Sequence, residues 1–234
     1  MREIIFDTET TGLRPEDGER IIEIGAVELE NRFPTGRSFH VYLNPQGRPV
    51  HPDALRVHGI TDQFLADKPA FPAIASDFME FIAGAQLVAH NAAFDIGFVN
   101  AELARIGLPP IHADRVVDTL QIARRKHPMG PNSLDALCGR YGIDNAHRTK
   151  HGALLDAELL AEVYIELNGG KQAALILDVE LQATVTVGGE MEVVIAASRQ
   201  RPVPLPPRLD EAVIARHAAF IATLGEGALW KRYG

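Results

Sequence analysis

The sequence predicts an α/β fold: one domain built on a mixed sheet, followed by a linker and a short helical tail. Three observations predict it. From Ile4 to about Asn168, short β-rich apolar runs give way to stretches of helical period. Gly169-Gly170 ends that rhythm, and Pro202, Pro204, Pro206 and Pro207 then form a stiff, extended stretch. Beyond it, Leu209 to Leu224 carries Val213, Ile214, Phe220, Ile221 and Leu224 as an apolar stripe at helical spacing. The expected divisions are 1–168, 169–207 and 208–234.

Within the first division, Ile4, Ile5 and Phe6 form an apolar run that closes in Thr10, Thr11 and Gly12, a strand entering a turn. Ile21 to Leu29 and Phe39 to Leu43 read as two more strands at hairpin-like spacing. Ile74, Phe78 and Phe81 or Ile82 mark a helix over Phe71 to Ile82. Gln86 to His90 is a short buried strand, and Phe94 to Ile106 a helix stopped by Gly107 and the prolines after it. Arg115 to Asp118 is a further strand, with Asp118 and Gln121 spaced as a capping box for the next helix and Asp114 in a loop. Ser133 to Tyr141 and Ala153 to Leu167 are helices. Three strands followed by two that alternate with helices give a mixed sheet.

Composition bounds the function. A chain of 234 residues, 46% hydrophobic, holds one good-sized core and an appendage. Its formal net charge of −8 opposes a general nucleic-acid coat, which needs dense Lys and Arg, but allows an enzyme that neutralises phosphate locally with metal ions. Cys138 is the only cysteine, so an intramolecular disulfide and a Cys-based zinc cluster are excluded. No apolar stretch reaches membrane-spanning length, and no cationic segment precedes an apolar one at the N-terminus. A soluble, cytoplasmic protein is expected.

Asp7 and Glu9 raise the chemical question. Residues i and i+2 of a strand share a face, so two carboxylates would stand side by side where they repel. No Lys or Arg lies between Arg2 and Arg14 to neutralise them. Either a divalent cation sits between them, or the strand end frays into solvent and both acids belong to the turn. Asp95 follows a strand end, with Asn91 as N-cap placing it in the first turn of a helix. Ligand sites form at such junctions, although an acid there also suits the helix dipole. Asp156 lies early in a helix, beside an apolar face of Leu155, Leu159, Val163 and Leu167. His151, five residues earlier, is not on the same helical face and belongs to the loop or first turn above the acid. Lys150 and His151 also suit an ordinary helix start. Singly, each residue has a bland role. Together, four acids at the ends of one strand and two helices, with one nearby histidine, favour a shared site, and His151 is the only one of nine histidines with a catalytic reading.

Four segments carry a resemblance: "FDTETTG", "HNAAFDIGF", "NSLDALC" and "HGALLDAELLAEVY". They resemble the proofreading 3′–5′ exonuclease (epsilon) subunits of bacterial DNA polymerase III, in the wider DEDDh exonuclease group. "IIEIGAVE", "FHVYLNP" and "VHGI" stand at the expected intervals, and the likeness spans about Ile4 to Gly170. It implies an RNase H-like fold, a five-stranded mixed sheet flanked by helices. It also implies Asp7, Glu9, Asp95 and Asp156 as metal-binding acids and His151 as general base, with two Mg²⁺ or Mn²⁺ per site. Asp7 would bridge the ions, Glu9 and Asp156 hold the one carrying the attacking water, and Asp95 hold the one facing the leaving 3′ oxygen. The product would be a nucleoside 5′-monophosphate.

For the terminal nucleotide the resemblance implies Thr10 and the Val57–Ile60 segment, including His58, with His90, Asn91 and Phe94 nearby and Asp7 and Glu9 at the scissile end. Core packing accounts for Phe94 and Val57 equally well. The expected activity is removal of mispaired 3′-terminal nucleotides. An RNA-trimming exonuclease of the same group and a non-catalytic adaptor that stiffens a polymerase complex are the alternatives. The complete acid set weighs against the adaptor and the C-terminal extension against the RNA trimmer.

Two further partners are implied beyond the single-stranded 3′ end of primer DNA. "QAALIL" resembles peptides that dock into the sliding clamp (beta), with Gln172, Leu175 and Leu177 as anchors, where an apolar strand packed on the core is the alternative. The tail, with Phe220, Leu224, Leu229 and Trp230, is expected to bind the polymerase alpha subunit, since Trp is a favoured interface anchor. Folding back on the core is the alternative. A small accessory subunit is left open, and no membrane is expected.

Overall fold

Ile4, Ile5 and Phe6 are successive residues, each at most 1% exposed. Successive strand side chains point to opposite faces, so a strand built this way must be covered on both sides. In the computed structural model, which describes residues 1–146, 151–170 and 211–224, that strand is β1 (Arg2–Thr10) at the centre of a five-stranded sheet. The order is β3-β2-β1-β4-β5, with β2 (Ile21–Glu30), β3 (Phe33–Tyr42), β4 (Gln86–Ala89) and β5 (Val116–Asp118). β1 pairs antiparallel with β2 and parallel with β4. The sheet is therefore mixed and five-stranded, as expected.

The two faces carry different helices. Ile4, Phe6, Ile24 and Leu87 pack with Phe71 and Phe78 of α3 (Phe71–Phe81) and Phe98, Val99 and Leu103 of α4 (Ala93–Arg105). Ile5, Leu29 and Val88 pack on the other face against Leu160, Tyr164 and Ile165 of α7 (Ala153–Leu167). Behind α7 lie α5 (Thr119–Lys126) and α6 (Leu134–Tyr141), joined to it through Ala123, Leu137, Cys138, Leu159 and Val163. Since Ile5 faces α7, the alternation along β1 puts Asp7 and Glu9 toward α7, and Thr8 toward α4.

Several expectations are corrected. β3 begins at Phe33, not Phe39, because β2 and β3 form one hairpin paired from Glu30 and Phe33 onward. The Val57–Ile60 segment has a helical context that the sequence did not reveal. It spans the end of α1 (Pro52–His58), a helix started by Pro52 and by His51 Nδ1 accepting the Asp53 N–H, and closed by left-handed Gly59. α2 (Asp62–Leu65), capped by the Thr61 hydroxyl, follows. Both are too short for a periodic signal. Asn91 is not the N-cap of α4: Ala92 is, and Asn91 has φ of +64°.

The chain divides into two units, residues 1–174 and 175–234. In the second, α8 (Glu211–Thr223) exposes Ile214 and Phe220, with Leu224 just beyond its end also exposed. Gln172, Leu175, Leu177, Leu229 and Trp230 lie outside the described residues. Among the described residues no helix is long and apolar enough to cross a membrane.

Candidate active site

Three elements bring the acids together. The first is the end of β1, where Thr8 turns toward α4. Its peptide N–H and its hydroxyl both donate to Asp95 Oδ1, at 3.0 and 2.7 Å. Asp95 is in the first turn of α4 and 3% exposed. Burial pushes its carboxyl up to about 7, against the pull of the Thr8 hydrogen bonds, and the Asp118 charge adds to the rise.

The turn that delivers Asp95 is held from β5. Asp118 Oδ1 accepts the Asn91 N–H at 3.1 Å and the Leu120 N–H at 2.9 Å, so one carboxylate caps α5 and anchors the left-handed residue before α4. Beside it, His90 lies between the Thr119 hydroxyl (2.8 Å) and the Asn132 carbonyl (2.9 Å). A carbonyl only accepts, so His90 Nε2 carries the proton. Burial holds the His90 pKa below its usual value.

The third element is the start of α7. Asp156 is in its first turn, 3% exposed, and its N–H donates to the Gly152 carbonyl at 2.9 Å. His151 Nδ1 is 3.1 Å from Asp156 Oδ2. The His151 backbone N–H reaches the Val57 carbonyl at 3.4 Å, which joins this loop to the end of α1. Glu9, His151 and Asp156 each offer an atom within 4.8 Å of one another. The two carboxylates at that spacing, with half-buried Asp7 on the same side of β1, form an oxygen donor set that fits a hard divalent cation, and the His151 imidazole stands beside it.

Next to the acids lies a cleft of about 460 Å³. Of the expected substrate residues, Glu9, Thr10, Val57, His58 and Phe94 line it; Asp7, His90 and Asn91 do not, the last two sitting in the turn that leads to Asp95. Val57 is 47% exposed, whereas Phe94 also packs against Phe98 in the core.

Sequence reasoning missed the rim between β1 and β2. There Gly12, Leu13, Arg14 and Glu19 line the cleft, Arg14 being the one Arg or Lys among the described residues that line it. The Thr11 hydroxyl donates to Glu19 Oε2 at 2.5 Å and Arg48 pairs with the other oxygen, which holds the Glu19 carboxyl below its usual range. A Cβ on Gly12 would meet the Glu19 carboxyl carbon at 2.6 Å, so glycine keeps the chain close there. The "TTG" signal was visible, but Glu19 and Arg48 reach it only through tertiary contact.

Residues 4–164 match the family described as Exonuclease. The chain is 45% identical over 242 residues to the DNA polymerase III subunit epsilon of Pasteurella multocida (strain Pm70), covering 99% of this chain and 94% of that one. It is 46% identical over 240 residues to the DNA polymerase III subunit epsilon of Escherichia coli (strain K12), covering 98% and 97%. Among solved structures, exonuclease X in complex with 5′ overhanging duplex DNA is similar at a TM-score of 0.52 and 28% identity, over 71% of this chain and 89% of that chain. The nuclease domain of 3′hExo, a DEDDh family member bound to rAMP, shares the fold at a TM-score of 0.61 and 20% identity, over 72% and 92%.

Proposed function

Because the chain belongs to the exonuclease family, as an epsilon subunit of DNA polymerase III, we propose a two-metal proofreading mechanism for it built on Asp7, Glu9, Asp95, Asp156 and His151. It is a 3′–5′ exonuclease. The observation that carries the site is the convergence of Glu9, His151 and Asp156 within 4.8 Å, from opposite ends of the domain.

Asp7, Glu9, Asp95 and Asp156 would hold two divalent cations, Mg²⁺ or Mn²⁺, which supply Lewis acidity to the attacking and leaving oxygens of the phosphodiester. The protein does the rest. His151 Nδ1 faces Asp156 Oδ2, so in the neutral ring Nδ1–H donates to the carboxylate and Nε2 is the basic nitrogen. Nε2 takes a proton from the attacking water. The water oxygen bonds to phosphorus, the bond from phosphorus to the penultimate 3′ oxygen breaks, that oxygen keeps the electron pair and takes a proton from solvent to become the new 3′-hydroxyl, and a nucleoside 5′-monophosphate leaves. Val57 and Phe94 give the cleft apolar walls suited to a base, and its volume is in the range of small-ligand sites. His90 and Asn91 act from behind, by holding the turn that carries Asp95.

The exposed Phe220 and Leu224 support docking to the polymerase alpha subunit, together with Leu229 and Trp230. Gln172, Leu175 and Leu177 are the proposed clamp anchors, and the cytoplasm the proposed location. Purified protein given mispaired primer DNA or short RNA, each with and without Mg²⁺, tests the reading. Metal-dependent release of deoxynucleoside 5′-monophosphates from DNA is expected. Preference for RNA would favour the trimming alternative, and no metal-dependent release from either would reject the site.

A further inference from the structure

Gly25 sits in the middle of β2, far from any turn, and its φ is not in the left-handed region. Backbone conformation therefore does not call for glycine there. Space does. A Cβ on Gly25 would lie 2.1 Å from the Leu154 nitrogen, 2.2 Å from the Ala153 carbonyl carbon and 2.4 Å from the Leu154 Cα. All three are backbone atoms in the first turn of α7, so no rotamer change relieves the clash. Ordinary van der Waals contact begins at 3.4 Å, so the helix start would have to retreat by more than about 1 Å.

The location matters. Gly25 pairs directly with Asp7 across the β1–β2 ladder, and Glu23 pairs with Glu9. Along the α7-facing side of β2 the residues are Glu23, Gly25, Val27 and Leu29, and the last two pack against the later turns of α7. The helix thus rests on side chains further along and on bare backbone at its start. Ala153, whose carbonyl carbon is part of this contact, is 0% exposed and carries only a methyl group. His151 comes just before this turn and Asp156 lies within it.

We propose that Gly25 is a positioning residue for the metal centre: the side chain it lacks lets α7 start against the sheet, which brings Asp156 and His151 up to Glu9 and Asp7. This rests on the metal-site reading above. Gly25 touches neither substrate nor ion; it sets the distance across which the two halves of the donor set face one another. A displacement of about 1 Å in such a constellation costs on the order of 10²-fold in rate.

Mn²⁺ titration by calorimetry on the full chain, read beside nuclease rate and thermal unfolding, tests this for wild type, Gly25→Ala and Leu160→Ala. Leu160 packs on the same sheet face further along α7, so its loss should lower Tm and leave Mn²⁺ affinity unchanged. Gly25→Ala should weaken Mn²⁺ binding about 10-fold or more and slow hydrolysis by ~10²-fold. Ala157→Val adds volume at a fully buried position in the next turn of α7, should push the helix start outward and so also weaken Mn²⁺ binding, which keeps the test open should Gly25→Ala not fold. Wild-type Mn²⁺ affinity in whichever of the two variants folds would overturn the proposal. Failure of the metal-site reading looks different, because wild type itself would then not bind Mn²⁺.

Discussion

Thr8 gives Asp95 two hydrogen bonds to a single oxygen, from its peptide N–H at 3.0 Å and its hydroxyl at 2.7 Å. The residue between the two strand acids thus holds the third acid in place, from the opposite side of the same strand. That arrangement makes Asp95 a titratable group with a measurable consequence.

In the metal-free protein, burial raises the Asp95 carboxyl from 3.8 to about 7. Between those values the unfolded chain has ionised this group while the folded chain still holds the proton. The stability it allows at low pH is therefore lost as pH rises through that window. Asp95→Asn removes the loss and keeps an acceptor for Thr8. Its Tm advantage over wild type should grow from about pH 4 to about pH 7 and then level off; a constant difference across this range would refute the assignment.

Asp7→Ala should abolish metal-dependent hydrolysis while the metal-free fold stays intact, since the change relieves repulsion at a half-buried position rather than opening the core. Circular dichroism and a 3′-end nuclease assay check both halves. A folded variant that hydrolyses near the wild-type rate counts against Asp7 as a ligand.

His151→Ala should lower the rate by ~10²–10⁴-fold, the usual worth of a general base. His151 is half exposed and lies outside the core clusters, so Tm should change little. Loss of activity that recovers fully as pH rises would indicate that hydroxide bypasses the base. No loss at any pH would remove His151 from the mechanism.

Asp118→Ala tests the scaffold behind Asp95. It deletes the acceptor for both Asn91 and Leu120, so it should cost about 1 kcal/mol or more in stability. It also takes away a charge that raises the Asp95 pKa. Chemical denaturation measures the first effect. A variant as stable as wild type would show that the Asn91 turn does not depend on this carboxylate.

Truncation after Gly170 should leave nuclease activity on single strands nearly intact, because every site residue lies in the first compact unit, residues 1–174. The same truncation should abolish co-purification with the polymerase alpha subunit, and Trp230→Ala should weaken it substantially. Clamp pull-down should fail when Gln172 and Leu175 are both changed to Ala. Full-strength polymerase binding by the truncated protein would overturn this division of labour.

Local geometry determines much of this site. Alternation along β1 put Asp7 and Glu9 on one side before any partner was known, and a helix start after the Gln86 strand put Asp95 in its first turn. Ala153 to Leu167 is a helix with the bounds its apolar spacing predicts. Each of these depends on residues within two to four positions of one another, where strand and helix geometry leave little choice. What the sequence alone left open depends on residues distant along the chain. Asn91 reads locally as an N-cap, yet Asp118 holds it in a left-handed turn. His90 reads as a pocket residue, yet Thr119 and Asn132 engage both ring nitrogens. Gly25 reads as a strand glycine with no purpose until the backbone of Leu154 is found on top of it. Periodicity decides which way a side chain points, but only tertiary packing decides what it meets there. In this protein the distance between Glu9 and Asp156 is set by that packing.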